Sequence, residues 1–130
     1  PPNLNGFCTA TGNVALAAYA DYPGSPFVPF TKFRAGSQVL VRWAPTFFVT
    51  VADTGPDFAV RIGTTDYRTH VVAPTLTAGV RLPSFGERKI AGLAAGVYTV
   101  TGRWARFAGT GSVNTVINAD WVSLTVEEVP

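Results

Sequence analysis

Apolar and polar residues alternate with a period of two through much of this chain, most clearly in its last third. Residues 97–104 and 121–127 both follow this pattern, and residues 109–112 between them have the Gly, Thr and Ser content of a turn. Such alternation suits a β-strand with one face in a core and the other face in water. The pattern therefore predicts a pair of half-buried strands here.

The same alternation recurs upstream, where turn residues separate the runs at intervals of roughly 8–12 residues. The clearest of these upstream runs are residues 38–43, 47–51, 58–62 and 67–72. Less regular segments at 14–19 and 88–93 are predicted as short strands. Residues 27–33 contain Pro29, which has no N–H for a ladder, so this segment is predicted to lie at a sheet edge.

The fold predicted from these runs is all-β. No segment repeats apolar residues at the i, i+3, i+4, i+7 spacing of an amphipathic helix over three turns. Eight to ten strands with apolar faces must cover one another, which favours a single antiparallel β-sandwich with jelly-roll or Greek-key connections. The sandwich is predicted to span residues 13–130, after an extended N-terminal arm at residues 1–12.

The predicted arm has Leu4 and Phe7 as its large apolar side chains. Ordering a chain costs roughly 1–2 kcal/mol per residue, which two side chains can hardly offset in a lone subunit. We therefore expect Leu4 and Phe7 to dock on an adjacent subunit or on a scaffold.

Composition adds an expectation of permanent assembly. The 130 residues suit one domain, and 14% of them are charged against about 25% in a typical domain. Neutral surface is what an interface can bury, although Thr, Ser and Asn replacing charge on exposed strands would give the same composition. The ten basic and eight acidic residues are scattered, which argues against nucleic acid as a partner. No apolar run is long enough for membrane insertion, and residues 1–5 lack the pattern of a signal peptide, although a cleaved one would already be gone.

Candidate catalytic and metal-binding residues are few. Cys8 is the single cysteine, so it is predicted to be a small buried apolar residue rather than part of a disulfide or zinc site. His70 is the single histidine and is predicted at a surface or rim position, on the same strand face as Arg68 and Asp66, without a recognisable serine motif. The loop 53–57 carries two aspartates that could hold calcium, but Asp and Gly also suit a plain turn, which we favour. We therefore expect no enzyme activity, no cofactor and no metal.

The aromatic residues leave two interpretations open. Trp43 and Trp104 alternate with valines and are predicted to lie in the core. Trp121 shares its strand face with Ser123 and is predicted at a rim or subunit interface. Tyr19, Tyr22 and Trp121 are the candidate glycan contacts, as in carbohydrate-binding sandwiches.

The end of the chain resembles the C-terminal β-domains of phage virion proteins, in particular small fibre-like and minor tail proteins of phages that infect actinobacteria. The resemblance rests on residues 96–100, a strand entered through a glycine, and on residues 111–129, a Gly/Thr/Ser hairpin followed by a closing strand of the form aromatic-x-x-Leu-x-Val-Glu.

This resemblance implies a structural protein on the surface of a bacteriophage virion, at a tail tip, a fibre or a capsid decoration. It implies a homo-oligomer, with a trimer favoured, in contact with other virion proteins and with host glycan as a further candidate partner for host attachment. Leu4, Phe7 and Trp121 are then the predicted interface residues. The alternative is a secreted carbohydrate-binding module.

Overall fold

The computed structural model describes residues 2–130, so Pro1, the first residue of the predicted arm, lies outside the described residues. Twelve β-strands and no helix are found within this range, which confirms the all-β class. None of the described residues forms a helix capable of crossing a membrane.

The strands follow one another along the chain with short connections. They are β1 (Asn3–Phe7), β2 (Gly12–Val14), β3 (Ala20–Asp21), β4 (Phe27–Lys32), β5 (Gln38–Val49), β6 (Gly55–Ile62), β7 (Thr65–Val71), β8 (Leu82–Pro83), β9 (Gly86–Ile90), β10 (Gly96–Ala108), β11 (Val113–Thr115) and β12 (Trp121–Val129).

The strands form two antiparallel sheets. The first has seven strands in the order β1-β12-β5-β11-β2, with β8 and β9 also paired to β5. The second has five strands in the order β3-β10-β6-β7, with β4 also paired to β10. Short strands that lie end to end share one position, so each sheet has four strand positions. When the eight positions are numbered along the chain, the first lies beside the eighth in one sheet and the second lies beside the seventh in the other. This is the strand order of a jelly roll.

The core lies between the two sheets and is built on the predicted tryptophans. Trp43 and Trp104 are 0% and 1% exposed. The Tyr22 ring packs edge-on against both of them, at centroid distances of 5.3 Å and 4.9 Å. The Trp43 ring also covers the backbone of Gly102, where an added Cβ would lie 2.6 Å from the ring. This explains the glycine within the alternating run of β10.

The predicted arm is instead an integral strand. Residues 3–7 pair with β12, with Leu4 opposite Leu124, and Leu4 packs against the core of its own subunit. Backbone hydrogen bonds to β12 offset the entropy cost of ordering this segment. Burial of its two apolar side chains alone could not offset that cost. Leu4 is therefore ordered by contacts within its own subunit, without needing a neighbour.

Strand β5 runs without interruption through Pro45, where two strands were predicted. On one side of β5, β8 ends opposite Thr46 and β9 begins opposite Trp43. Pro45 lies in this gap, where no ladder donor is required, and its carbonyl accepts the Ser84 N–H at 3.1 Å.

Candidate functional site

An exposed aromatic pair stands on the outer face of the first sheet. Phe7 of β1 lies opposite Trp121 of β12, and the rings make an edge-on contact with a centroid distance of 5.1 Å. The indole Nε1–H of Trp121 donates to Asn5 Oδ1 at 2.7 Å. Phe7 and Trp121 remain 56% and 46% exposed. We call Asn5, Phe7 and Trp121 the aromatic patch: its rings are fixed in place and yet half open to solvent.

The side chains that adjoin the aromatic patch are uncharged, and the charged side chains beyond them are paired. The neighbouring outward positions on β5 and β12 are Ala44, Thr46 and Ser123, and Thr46 Oγ1 donates to the Trp121 carbonyl at 2.7 Å. Beyond them, the guanidinium of Arg81 lies over the Phe48 ring and is paired with Asp120 at 2.9 Å. The nearest charged residue along β5 is Arg42. Its guanidinium is paired with Glu87 and with Glu127, each at 3.2 Å. A partner could therefore cover the patch without desolvating a free charge.

The three predicted glycan contacts do not form one platform. Tyr22 is 0% exposed, which removes it as a ligand contact. Its hydroxyl is held by the Thr46 carbonyl at 2.8 Å and by Thr115 Oγ1 at 2.7 Å, and burial raises its pKa. Sequence alternation could not reveal this, because Tyr22 lies in the loop after β3. Tyr19 lies outside the second sheet, on the opposite side of the molecule from Trp121.

The outer face of the second sheet carries a network of ion pairs around Tyr19. Arg103 pairs with Asp21 at 2.6 Å and with Asp66 at 3.1 Å, and Asp66 also binds Arg61 at 3.0 Å. Beside it, Arg68 binds Asp57 at 2.7 Å. The Tyr19 hydroxyl donates to Asp57 Oδ1, and burial together with this contact raises the pKa of Tyr19 to about 12. The three arginines balance the three aspartates, so the charges of this network are paired with one another.

His70 faces the core rather than the surface. A β-bulge in β7 shifts the register, so that Arg68 pairs with Ala59 and His70 pairs with Phe58. The imidazole therefore stacks on the Phe58 ring at 4.9 Å, whereas Arg68 and Asp66 lie on the outer face. The prediction that these three residues share one face is wrong, because a bulge inverts the alternation that the prediction assumed.

His70 does contact a serine, but not in the geometry of an activated nucleophile. His70 Nε2 is 3.0 Å from Ser84 Oγ, whose hydroxyl donates to the Pro45 carbonyl at 2.7 Å. Because that proton is engaged by a carbonyl, Ser84 accepts from the imidazole and does not donate to it. Burial lowers the pKa of His70 to about 4.

The aspartates of the loop 53–57 are both occupied by protein groups. The Asp53 carboxylate accepts from the Thr110 N–H at 3.1 Å and from Thr110 Oγ1 at 3.0 Å, which lowers its pKa. Asp57 lies in β6 and forms the ion pair with Arg68. Within residues 2–130 no group of three or more His, Cys, Asp or Glu side chains is placed to hold a metal ion.

A second apolar surface was not predicted from the sequence. Phe33 and Val97 are 79% and 80% exposed. They line a groove of about 670 Å³ beside Pro29, Glu127 and Glu128, where β4 and β10 approach β12. The alternating run that contains Val97 predicts a half-buried strand, but the exposure of Val97 itself depends on how the two sheets end.

Comparison with known proteins shows no family for this chain. No protein-family model and no curated protein matches the chain. Among solved structures, the C-terminal domain of EclA, described as a sugar-binding protein, aligns with 12% sequence identity over 92% of this chain and 78% of that chain, with a TM-score of 0.38.

Proposed function

We propose that this domain is a non-enzymatic structural module of a phage particle, which joins copies of itself or neighbouring virion subunits through the aromatic patch. The observation that carries the proposal is the Phe7–Trp121 pair, fixed by Asn5 and half exposed in uncharged surroundings. Tryptophan is enriched among the residues that dominate binding energy at protein interfaces.

The energy available from the patch is appreciable. Trp121 leaves 46% of its surface in water. A side chain of this kind presents roughly 250 Å², so covering the exposed part at roughly 25 cal/mol per Å² contributes about 3 kcal/mol before the costs of association. The absence of a free charge in the surrounding rows means that little of this gain is lost to desolvation.

The assignment to a phage particle is supported by the resemblance of the closing strand. Trp121, Leu124 and Glu127 of that motif all lie in β12, with Leu124 in the core and Trp121 and Glu127 on the outer face. A location on the particle surface, at a tail or on a capsid, and assembly as a homo-oligomer are what the resemblance implies. Host attachment through glycan is part of the same proposal.

Light scattering coupled to size-exclusion chromatography tests self-association. We expect the purified chain to form an oligomer. The Trp121→Ala substitution should raise the dissociation constant of this oligomer at least tenfold. Phe107→Ala is the matched control, because Phe107 is 50% exposed at the far end of β10 and should leave association unchanged. A wild-type chain that stays monomeric at millimolar concentration, with no binding to virion subunits, contradicts the proposal.

A carbohydrate-binding module is the second candidate, and the exposed indole of Trp121 favours it, since a fixed aromatic ring can stack on a sugar. Glycan-array binding that Trp121→Ala abolishes, in a monomer whose circular dichroism is unchanged, would support this candidate against assembly. Tyr19→Phe serves as the control, because Tyr19 lies outside the other sheet.

A further inference from the structure

The edges of the two sheets differ in how they are protected against strand addition. Strand β4 carries Pro29, β7 is bulged and carries Arg68, and β9 has three consecutive charged residues at 87–89. Proline, bulges and charges are the usual means of blocking an exposed edge. Strand β1 has no proline, bulge or charged residue.

On the free side of β1, every second residue directs its backbone N–H and C=O groups away from the sheet. The Cys8 N–H donates to the Asp120 carbonyl at 2.7 Å, and the Val126 N–H donates to the Pro2 carbonyl at 3.1 Å. In an antiparallel ladder these bonds alternate, so Leu4 and Gly6 also bond to β12. Asn3, Asn5 and Phe7 therefore direct their N–H and C=O groups away from the sheet.

We propose that the β1 edge pairs with β1 of a second copy, antiparallel and centred on Asn5. In this register Asn5 faces the partner's Asn5, and Asn3 faces the partner's Phe7. All three free positions of each copy are then used, in about six backbone hydrogen bonds across the pair. Shifting the register by two residues leaves at least one position of each copy unpaired.

The same register fills a gap at the edge. Leu4 of one copy lies opposite Gly6 of the other, on the inward side of the extended sheet. A Cβ built on Gly6 meets no atom within 4 Å, and Leu4 and Phe27 line an apolar hollow of about 160 Å³ beside this strand. The open space at Gly6 and the Leu4 side chain that lies opposite it in this register both belong to β1, which points to a second copy as the occupant.

A two-fold pairing also requires that the residue on the axis tolerate its own copy. Asn5 is uncharged and keeps its side chain on Trp121. This contact rests on the proposed function, in that it adds a second junction to an assembling module, and it leaves the Trp121 ring free for another subunit.

The test uses the full chain and sedimentation velocity. Asn5→Asp keeps an acceptor for the Trp121 indole but places two aspartates opposite each other, with their Cα atoms about 5.5 Å apart. Because the two carboxylates repel each other, we expect at least tenfold weaker pairing. Asn5→Lys should weaken it similarly, and a 1:1 mixture of the two variants should restore it. Asn3→Asp, whose copies lie roughly 13 Å apart in this register, is the matched control and should change the pairing less than threefold.

Cross-linking tests the register itself. Asn5→Cys should form a disulfide dimer, because Cα atoms about 5.5 Å apart lie within disulfide range, whereas Asn3→Cys should not. An unchanged oligomer in Asn5→Asp, a wild-type assembly with an odd number of copies, or equal cross-linking of both cysteine variants overturns the edge pairing and leaves the proposed function standing. A wild-type chain that neither associates nor binds virion subunits overturns both.

Discussion

The environment of His70 predicts that this fold loses stability in mildly acidic solution. The imidazole is stacked on Phe58, bonded to Ser84, and backed by Gly86, where an added Cβ would lie 2.4 Å from Nδ1. A charged imidazolium is poorly solvated there, and burial lowers the pKa of His70 from 6.5 to about 4, although the Asp57 charge acts in the opposite direction.

The sign and size of the effect follow from proton linkage. The unfolded chain binds a proton on His70 near pH 6.5, whereas the folded chain does so only near pH 4. The stabilisation from the neutral histidine is therefore complete above pH 6.5 and is lost as the pH falls towards 4. The full shift corresponds to about 3 kcal/mol, of which about 2 kcal/mol should be lost by pH 5.

Urea unfolding followed by tryptophan fluorescence at pH 7.5 and pH 5 measures this loss. His70→Gln should be less stable than the wild type at pH 7.5 and should show much less change between the two pH values. The carboxylate of Glu128 titrates below this window, because its pKa is lowered to about 2 by hydrogen bonds from Ser37 and the Phe33 N–H. Equal losses of unfolding free energy in the wild type and in His70→Gln would refute the assignment.

Two further predictions concern packing and the Glu128 turn. Gly102→Ala should cost about 1–3 kcal/mol of unfolding free energy because its Cβ would press on the Trp43 ring, whereas Gly36→Ala, which meets no atom within 4 Å, should change stability by less than about 0.5 kcal/mol in the same urea titration. The Glu128 carboxylate accepts the Phe33 and Arg34 N–H groups at 2.9 Å and 2.8 Å, so its stabilisation should be present above pH 4.5, be lost as the pH falls towards 2 and be absent in Glu128→Gln. An NMR titration of Glu128 with a midpoint near 4.5 would show that these bonds do not form in solution.

The location of the glycan and interface candidates depended on contacts between distant parts of the chain. Asn5 and Trp121 are 116 residues apart and meet only because β1 pairs with β12. Nothing in the short run Asn3–Phe7 distinguishes an edge strand from an arm, since its backbone partners lie elsewhere in the sequence. For the same reason the sequence does not decide whether Tyr22, which lies in a loop without periodicity, is exposed or buried.

The sequence by itself determined the all-β class, the edge position of Pro29 and the burial of Trp43 and Trp104. Each of these follows from local alternation or from the missing N–H of proline. Only the tertiary structure decided the jelly-roll order, the strand character of β1 and the inward turn of His70. Strand partners and bulges are set by which residues meet across the sheets, and alternation along one strand carries no record of them.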